Sequence, residues 1–273
     1  MKELDIHPPL VEALLTRFLR EELASAGFSR AVLGISGGVD SALVAALCAR
    51  ALGPQNVLGV MMPYRTSNPD SEGHARLLAR ELGIQTAKVD ISAMADGYLA
   101  AHKVEDRMRR GNVMARCRMI VLYDQSVAFQ GLVAGTSNKT EILLGYSTQW
   151  GDSASALNPI GDLYKHQIYQ LSRHLGVPAP ILDKAPSADL FEGQTDEGEL
   201  GFTYADADRL LYWMVDERLT EEELVARGFE LAFVRRIAAR IAATQFKRVM
   251  PLIAKLSLRT INQDFRYLRD WGK

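Results

Sequence analysis

The segment Ser36-Gly37-Gly38-Val39-Asp40-Ser41 gathers groups suited to holding phosphate. Adjacent glycines let the backbone turn tightly and keep side chains out of a ligand's path. A helix starting there offers unpaired N–H groups and a dipole that favours anions. Ser36 and Ser41 add hydroxyl donors, so the segment reads as a cradle for phosphate or pyrophosphate. Asp40 conflicts with bare phosphate, because its carboxylate repels it. A magnesium ion between Asp40 and the phosphates removes that conflict. The plainer alternative is an ordinary helix start, with Asp40 complementing the dipole. Two other phosphate loops do not fit. Val39, Asp40 and Ser41 stand where a Gly-x-x-x-x-Gly-Lys-Ser/Thr loop needs its lysine, and no Gly-x-Gly-x-x-Gly follows Leu33.

The elements around this loop predict how it is held. Residues 31–35 form a short apolar run like a buried strand, and 39–50 follow with helical spacing. The rhythm repeats: strand-like 57–62 and 84–89, helical 71–82 and 112–129, then strand-like 132–134. Alternating strands and helices with short turns predict an α/β fold, a parallel sheet with helices on both faces. Ligands in such sheets sit at the carboxyl ends of strands, which selects the loops 36–41, 63–70 and 135–141. The second half is less regular. A helix is expected between Gly161 and Gly176, and further helices over 206–216, 220–226 and 230–245. Residues 187–203, rich in Gly, Asp and Glu, are expected to form a mobile loop within one domain spanning 1–273.

Composition removes several classes. Lys plus Arg is 32 and Asp plus Glu is 33, for a net charge of −1, which disfavours a wholesale nucleic-acid binder. The charge is uneven, however. Residues 183–223 hold 13 acids and 3 bases, whereas 227–273 hold 11 bases and 3 acids. These are solvated faces, a polyanion site, or elements that meet. Cys48 and Cys117 are the only cysteines, and they give no disulfide scaffold or zinc site. No apolar run reaches membrane-spanning length, and the N-terminus lacks a signal pattern. The expectation is a soluble cytoplasmic protein with no nucleic-acid or membrane partner.

The first loop resembles the signature of the ATP pyrophosphatases, which cleave ATP to AMP and pyrophosphate while adenylating a substrate. Later blocks narrow the likeness. Asn112, Ala115, Arg116, Arg118 and Met119 resemble the Asn-x-x-Ala-Arg-x-Arg-Met segment of NAD synthetases. Gly135-Thr136-Ser137-Asn138-Lys139-Thr140-Glu141, Gly151-Asp152, Leu163-Tyr164-Lys165, Pro186-Ser187 and Thr195-Asp196-Glu197 continue that family's order. The resemblance spans nearly the whole chain and implies an adenine nucleotide alpha-hydrolase-like, Rossmann-like fold with extra C-terminal helices. It implies amidation of nicotinic acid adenine dinucleotide (deamido-NAD) with ammonia, giving NAD, AMP and pyrophosphate through an acyl-adenylate.

The resemblance also implies roles. Ser36, Gly37, Gly38, Asp40 and Ser41 match the pyrophosphate loop, and Asp40 and Glu141 match two magnesium-binding carboxylates. Arg65, Thr136, Lys165 and Ser187 are ATP contacts, with Asp40, Lys165 and Glu141 as the catalytic set. Arg118, Asp152, Asp206 and Lys247 are assigned to deamido-NAD, with an N-cap role as the alternative for Asp206. Phe246 stands where the family usually has a histidine. Free ammonia is expected as donor, since only one helix precedes Ser36. The family is homodimeric, with the dinucleotide bound near the interface. The apolar residues of 112–129 serve that face or the chain's own core. The rival readings are another amidating or thiolating ATP pyrophosphatase and a non-catalytic adenine-nucleotide sensor.

Overall fold

A computed structural model describes residues 2–187, 195–258 and 260 of the chain. Helix α1 (Pro8–Ser25) leads into strand β1 (Ala31–Gly34), helix α2 (Val39–Leu52) and strand β2 (Val57–Met61). Helix α3 (Pro69–Leu82) and strand β3 (Gln85–Lys88) follow, then helices α4 (Ser92–Ala101) and α5 (Arg107–Phe129) before strand β4 (Leu132–Val133). The four strands are parallel in the order β3-β2-β1-β4. The chain therefore steps outward from β1 to β3 and then crosses back to place β4 on the other side of β1. The carboxyl ends of β1 and β4 flank that switch point, where open α/β sheets bind ligands.

Strand alternation sorts the core. Ala31 and Leu33 pack with α1, α2 and the later helices on one face, whereas Val32 packs with Ile91, Met114 and Val121 on the other. Burial on both faces explains the near-continuous apolar runs of β1 and β2. Helix α4 has no counterpart in the sequence-based expectations: its moment is weak, because Ala and Gly fill much of it. The helix expected at 112 begins at Arg107, where Asp106 caps it by accepting the Arg109 N–H at 2.8 Å.

Helices α6 (Lys139–Leu144) and α7 (Lys165–His174) flank the switch point, and the short α8 (Ala179–Leu182) follows. A third apolar cluster unites Leu144 with α10 (Tyr204–Leu211), α11 (Glu221–Ala226) and α12 (Leu231–Ala243). The helix expected over 206–216 runs as α10 and then loosens into a π turn, Tyr212–Asp216. Within the stretch expected to be a mobile loop, 188–194 lie outside the described residues. Asp196–Leu200 forms a short helix, α9, capped by Thr195. The acidic and basic segments do meet: Arg235 pairs with Glu221 at 2.7 Å, and Arg236 donates to the Gly201 carbonyl at 3.1 Å.

Candidate active site

The first loop has the geometry its residue types require. Gly37 has φ +74°, and a Cβ there would lie 2.3 Å from the Ser71 carbonyl oxygen. Gly38 is the N-cap of α2, which puts Asp40 and Ser41 in its first turn. The Ser41 hydroxyl accepts the Ser36 N–H at 3.2 Å and lies 3.1 Å from the Ser36 hydroxyl, which fixes the loop's curvature.

Asp40 meets groups from two distant elements. Lys165 Nζ, on the first residue of α7, donates to Asp40 Oδ2 at 2.5 Å and lies 3.6 Å from Glu141 Oε1. Lys165 is only 3% exposed. Burial opposes its charge, but Asp40 and Glu141 outweigh that and raise its pKa above the ordinary value. Burial and the Asp40 charge push the Glu141 carboxyl up to about 8, against the pull of Lys165. Asn138 ties the two acids together. Its Nδ2 donates to Asp40 Oδ1 at 2.9 Å, and its Oδ1 accepts the Glu141 N–H at 3.0 Å. The Glu141 carboxylate accepts the Asn138 N–H at 3.2 Å, completing a capping box at the start of α6. Behind them, Asp196 accepts from the Tyr204 and Tyr146 hydroxyls at 3.0 and 3.2 Å.

This cluster forms the floor of a cleft of about 870 Å³ between the carboxyl ends of β1 and β4. Ser36, Gly38, Asp40 and Ser41 line one wall; Thr136, Glu141, Lys165 and Ser187 line the next. Arg118, Asp152 and Lys247 line the same cleft, with Asp152 in the field of the other two. Arg118 Nε donates to the Met62 carbonyl at 3.1 Å, while its neighbour Arg116 reaches the Gln149 carbonyl. Asp152 accepts the Thr148 N–H at 2.7 Å. Lys247 Nζ donates to the carbonyls of Gly145 and Ser147, just past the end of α6. Arg240 and Arg248 hold the carbonyls of Leu144, Ile142 and Leu143. The basic segment thus closes the carboxyl end of the Glu141 helix.

Two sequence-predicted residues lie apart from this cleft. Arg65 is half-exposed and pairs with Asp96 at 2.7 Å, beside a separate hollow of about 300 Å³. Asp206 accepts from the Thr203 hydroxyl at 2.6 Å in the first turn of α10, whose cap is Thr203. The structure thus gives Asp206 a place in a helix start, with Thr203 rather than Asp206 as the cap. Cys48 and Cys117 are buried, and burial pushes the Cys48 thiol up to about 12.

The carboxylate pair suits magnesium. One ammonium faces two part-buried carboxylates, and burial first, then the Asp40 charge, raises the Glu141 carboxyl. Among the described residues no three His, Cys, Asp or Glu side chains form a ready metal cage. Magnesium commonly takes one or two protein carboxylates and draws its other ligands from phosphates and water.

A family model for NAD synthase matches residues 11–251 of this sequence. The chain belongs to the NAD synthase family. The NH3-dependent NAD+ synthetase of Trichlorobacter lovleyi is 58% identical over 273 residues, covering 100% of both chains. The structure of the NH3-dependent NAD synthetase from Campylobacter jejuni matches with TM-score 0.78 and 31% identity, over 92% of this chain and 100% of that one. NMN synthetase from Francisella tularensis matches with TM-score 0.81 and 30% identity, over 92% and 99%. The parallel sheet with flanking and C-terminal helices is shared with these two solved structures.

Three residues of this NAD synthase chain stand out in space but not in sequence. Asn138 and Asp196 fall in matched blocks, yet only folding shows one bridging Asp40 to Glu141 and the other buried beneath Lys165. Asp208 is two residues beyond Asp206, on the opposite side of α10, and fully buried. The acidic composition of the segment hid which carboxylate turns inward. Phe246 does not line the cleft and is mostly exposed, its carbonyl accepting from Gln149.

Proposed function

We propose that the cleft catalyses ATP-dependent amidation of deamido-NAD with ammonia, giving NAD, AMP and pyrophosphate through an acyl-adenylate. The observation that carries this reading is the placing of Lys165, Asp40 and Glu141 beside the glycine loop at the sheet's switch point. Ser36, Gly37, Gly38 and Ser41 receive the pyrophosphate half of ATP, with Thr136 and Ser187 on the same side. Asp40 and Glu141 would hold magnesium, which would supply charge neutralisation for the phosphates and the departing pyrophosphate. Lys165 supplies a fixed positive charge where negative charge builds as the α–β bond breaks. Arg118, Asp152 and Lys247, which line the same cleft, receive deamido-NAD.

The nicotinate carboxylate oxygen attacks the ATP α-phosphorus, and pyrophosphate leaves with the bridging oxygen. Ammonia then attacks the acyl carbon, loses a proton, and displaces AMP, which keeps the carboxylate oxygen. Water must be held off between these steps, and the depth of the cleft serves that end. The chain acts as a homodimer in the cytoplasm, with the exposed Ile120, Tyr123 and Val127 of α5 forming part of the partner face. The likeness to an NMN synthetase supports a second reading, with the mononucleotide acid as substrate.

Both readings are tested together by supplying each acid with magnesium ATP and ammonium, and following amide, AMP and pyrophosphate. Equal formation of all three from deamido-NAD, with kcat/KM at least tenfold above that for nicotinic acid mononucleotide, supports the first. The reverse order supports the second, and AMP formation without either acid contradicts both. A glutamine-only arm is expected to give no NAD.

A further inference from the structure

Asp208 belongs to α10, in the C-terminal layer, and its side chain does not line the cleft. It is fully buried. Its Oδ1 accepts from the Thr140 hydroxyl at 2.5 Å, and its Oδ2 accepts the His166 N–H at 2.7 Å. Thr140 Oγ1 in turn accepts the Lys165 N–H at 3.1 Å. One carboxylate therefore satisfies, directly or through one hydroxyl, two successive N–H groups in the first turn of α7. Those are groups a helix leaves unpaired. The same carboxylate holds the residue immediately before Glu141.

Burying a carboxylate is costly unless its oxygens are hydrogen-bonded. Here both oxygens bond to the two elements that carry Lys165 and Glu141, rather than to Asp208's own helix. Burial pushes its carboxyl up to about 6, while the bonds from Thr140 and His166 and the Lys165 charge hold it down. We infer that Asp208 is a positioning residue for the adenylation step, setting Lys165 and Glu141 against Asp40 through Thr140. This rests on the reading of Lys165 and Glu141 given above.

Its effect is on geometry during the reaction and not on substrate contact, so it appears in kcat and not in KM. Misplacement of a reacting group by about 1 Å can cost on the order of 100-fold. Asp208→Ala is expected to lower kcat at least ~30-fold and Thr140→Val ~10-fold, with KM for ATP and deamido-NAD within about threefold of wild type. Thr140→Ser, which keeps the hydroxyl, is expected to recover most of the loss, whereas Asp208→Asn offers one acceptor oxygen to the two donors and is expected to recover only part of it.

The test is steady-state NAD formation by the full chain, normalised to folded protein from thermal melts, with Lys165→Met alongside. Losses confined to kcat, and recovered by Thr140→Ser, support the inference. Wild-type kcat in Thr140→Val, or losses that vanish on normalisation, overturn it; Thr140→Val decides if Asp208→Ala fails to fold. A fully active Lys165→Met overturns the underlying reading of the site instead. Inactive Lys165→Met with fully active Thr140→Val overturns the positioning role alone.

Discussion

Lys165 Nζ lies 2.5 Å from Asp40 Oδ2 across 125 residues of sequence. Asp40 is fixed by the glycine loop after β1, and Lys165 opens α7 on the far side of the switch point. Closing this pair assembles the loop and its counter-charge in one act of folding. Lys165 also stacks 4.9 Å from the Tyr204 ring centre, so its ammonium is confined on a second side.

Replacing Lys165 by Met keeps the bulk and removes the charge. It is expected to lower kcat by on the order of 100- to 1,000-fold, the size found when one fixed stabilising group is lost. Steady-state kinetics at saturating substrates checks this, and a kcat within threefold of wild type counts against it. The variant also leaves Asp40 and Glu141 without their shared cation, so a lower melting temperature is expected.

Gly37→Ala is expected to harm the loop before any ligand binds. The φ of +74° strains an alanine, and its Cβ would meet backbone, not a side chain that can swing away. A loss of about 1–3 kcal/mol in stability is expected, together with weaker ATP binding. Denaturation and nucleotide titration measure the two. Unchanged values in both would show that the loop tolerates a shift against Ser71.

Arg65 and Arg118 are expected to part company. Arg65 pairs with Asp96 outside the cleft, so Arg65→Ala is expected to leave KM for ATP within about twofold, as for an exposed ion pair. Arg118 lines the cleft, and Arg118→Ala is expected to raise KM for deamido-NAD about tenfold, the scale of one charge-assisted contact. A large ATP effect from Arg65→Ala would return that residue to the site.

The sheet was legible because burial on both faces writes strands as unbroken apolar runs, and β1 and β2 read that way. Helix α4 was not, since its small residues carry little periodic contrast. The cleft floor was legible in Ser36–Ser41, Glu141 and Lys165 because residue type and ordered blocks identify them. Arg65 and Asp206 show the limit of that route. Their types suit ligands, but a nearby partner of opposite charge or a helix start claims each one. Asp208 and Asn138 depend on contacts 68 and 98 residues away, which no local pattern encodes.

Stability should carry a pH signature from Asp208. Its folded pKa of about 6 exceeds the ordinary 3.8, so the folded state holds this proton more tightly than the unfolded chain. The stabilising contribution is full below about pH 4 and is lost as pH rises through 6. Relative to Asp208→Asn, wild type is expected to lose up to about 3 kcal/mol between pH 4 and pH 7.5. Urea unfolding of both proteins at the two pH values gives the difference. A constant difference would contradict the elevated pKa.

The acyl-adenylate is the central claim, and oxygen transfer tests it most directly. Deamido-NAD labelled with 18O in both carboxylate oxygens is turned over with magnesium ATP and ammonium, and the AMP is weighed by mass spectrometry. Attack by the carboxylate on the α-phosphorus predicts one 18O in each AMP and one retained in each NAD amide. Unlabelled AMP, or ADP and phosphate in its place, would contradict adenylation of the acid.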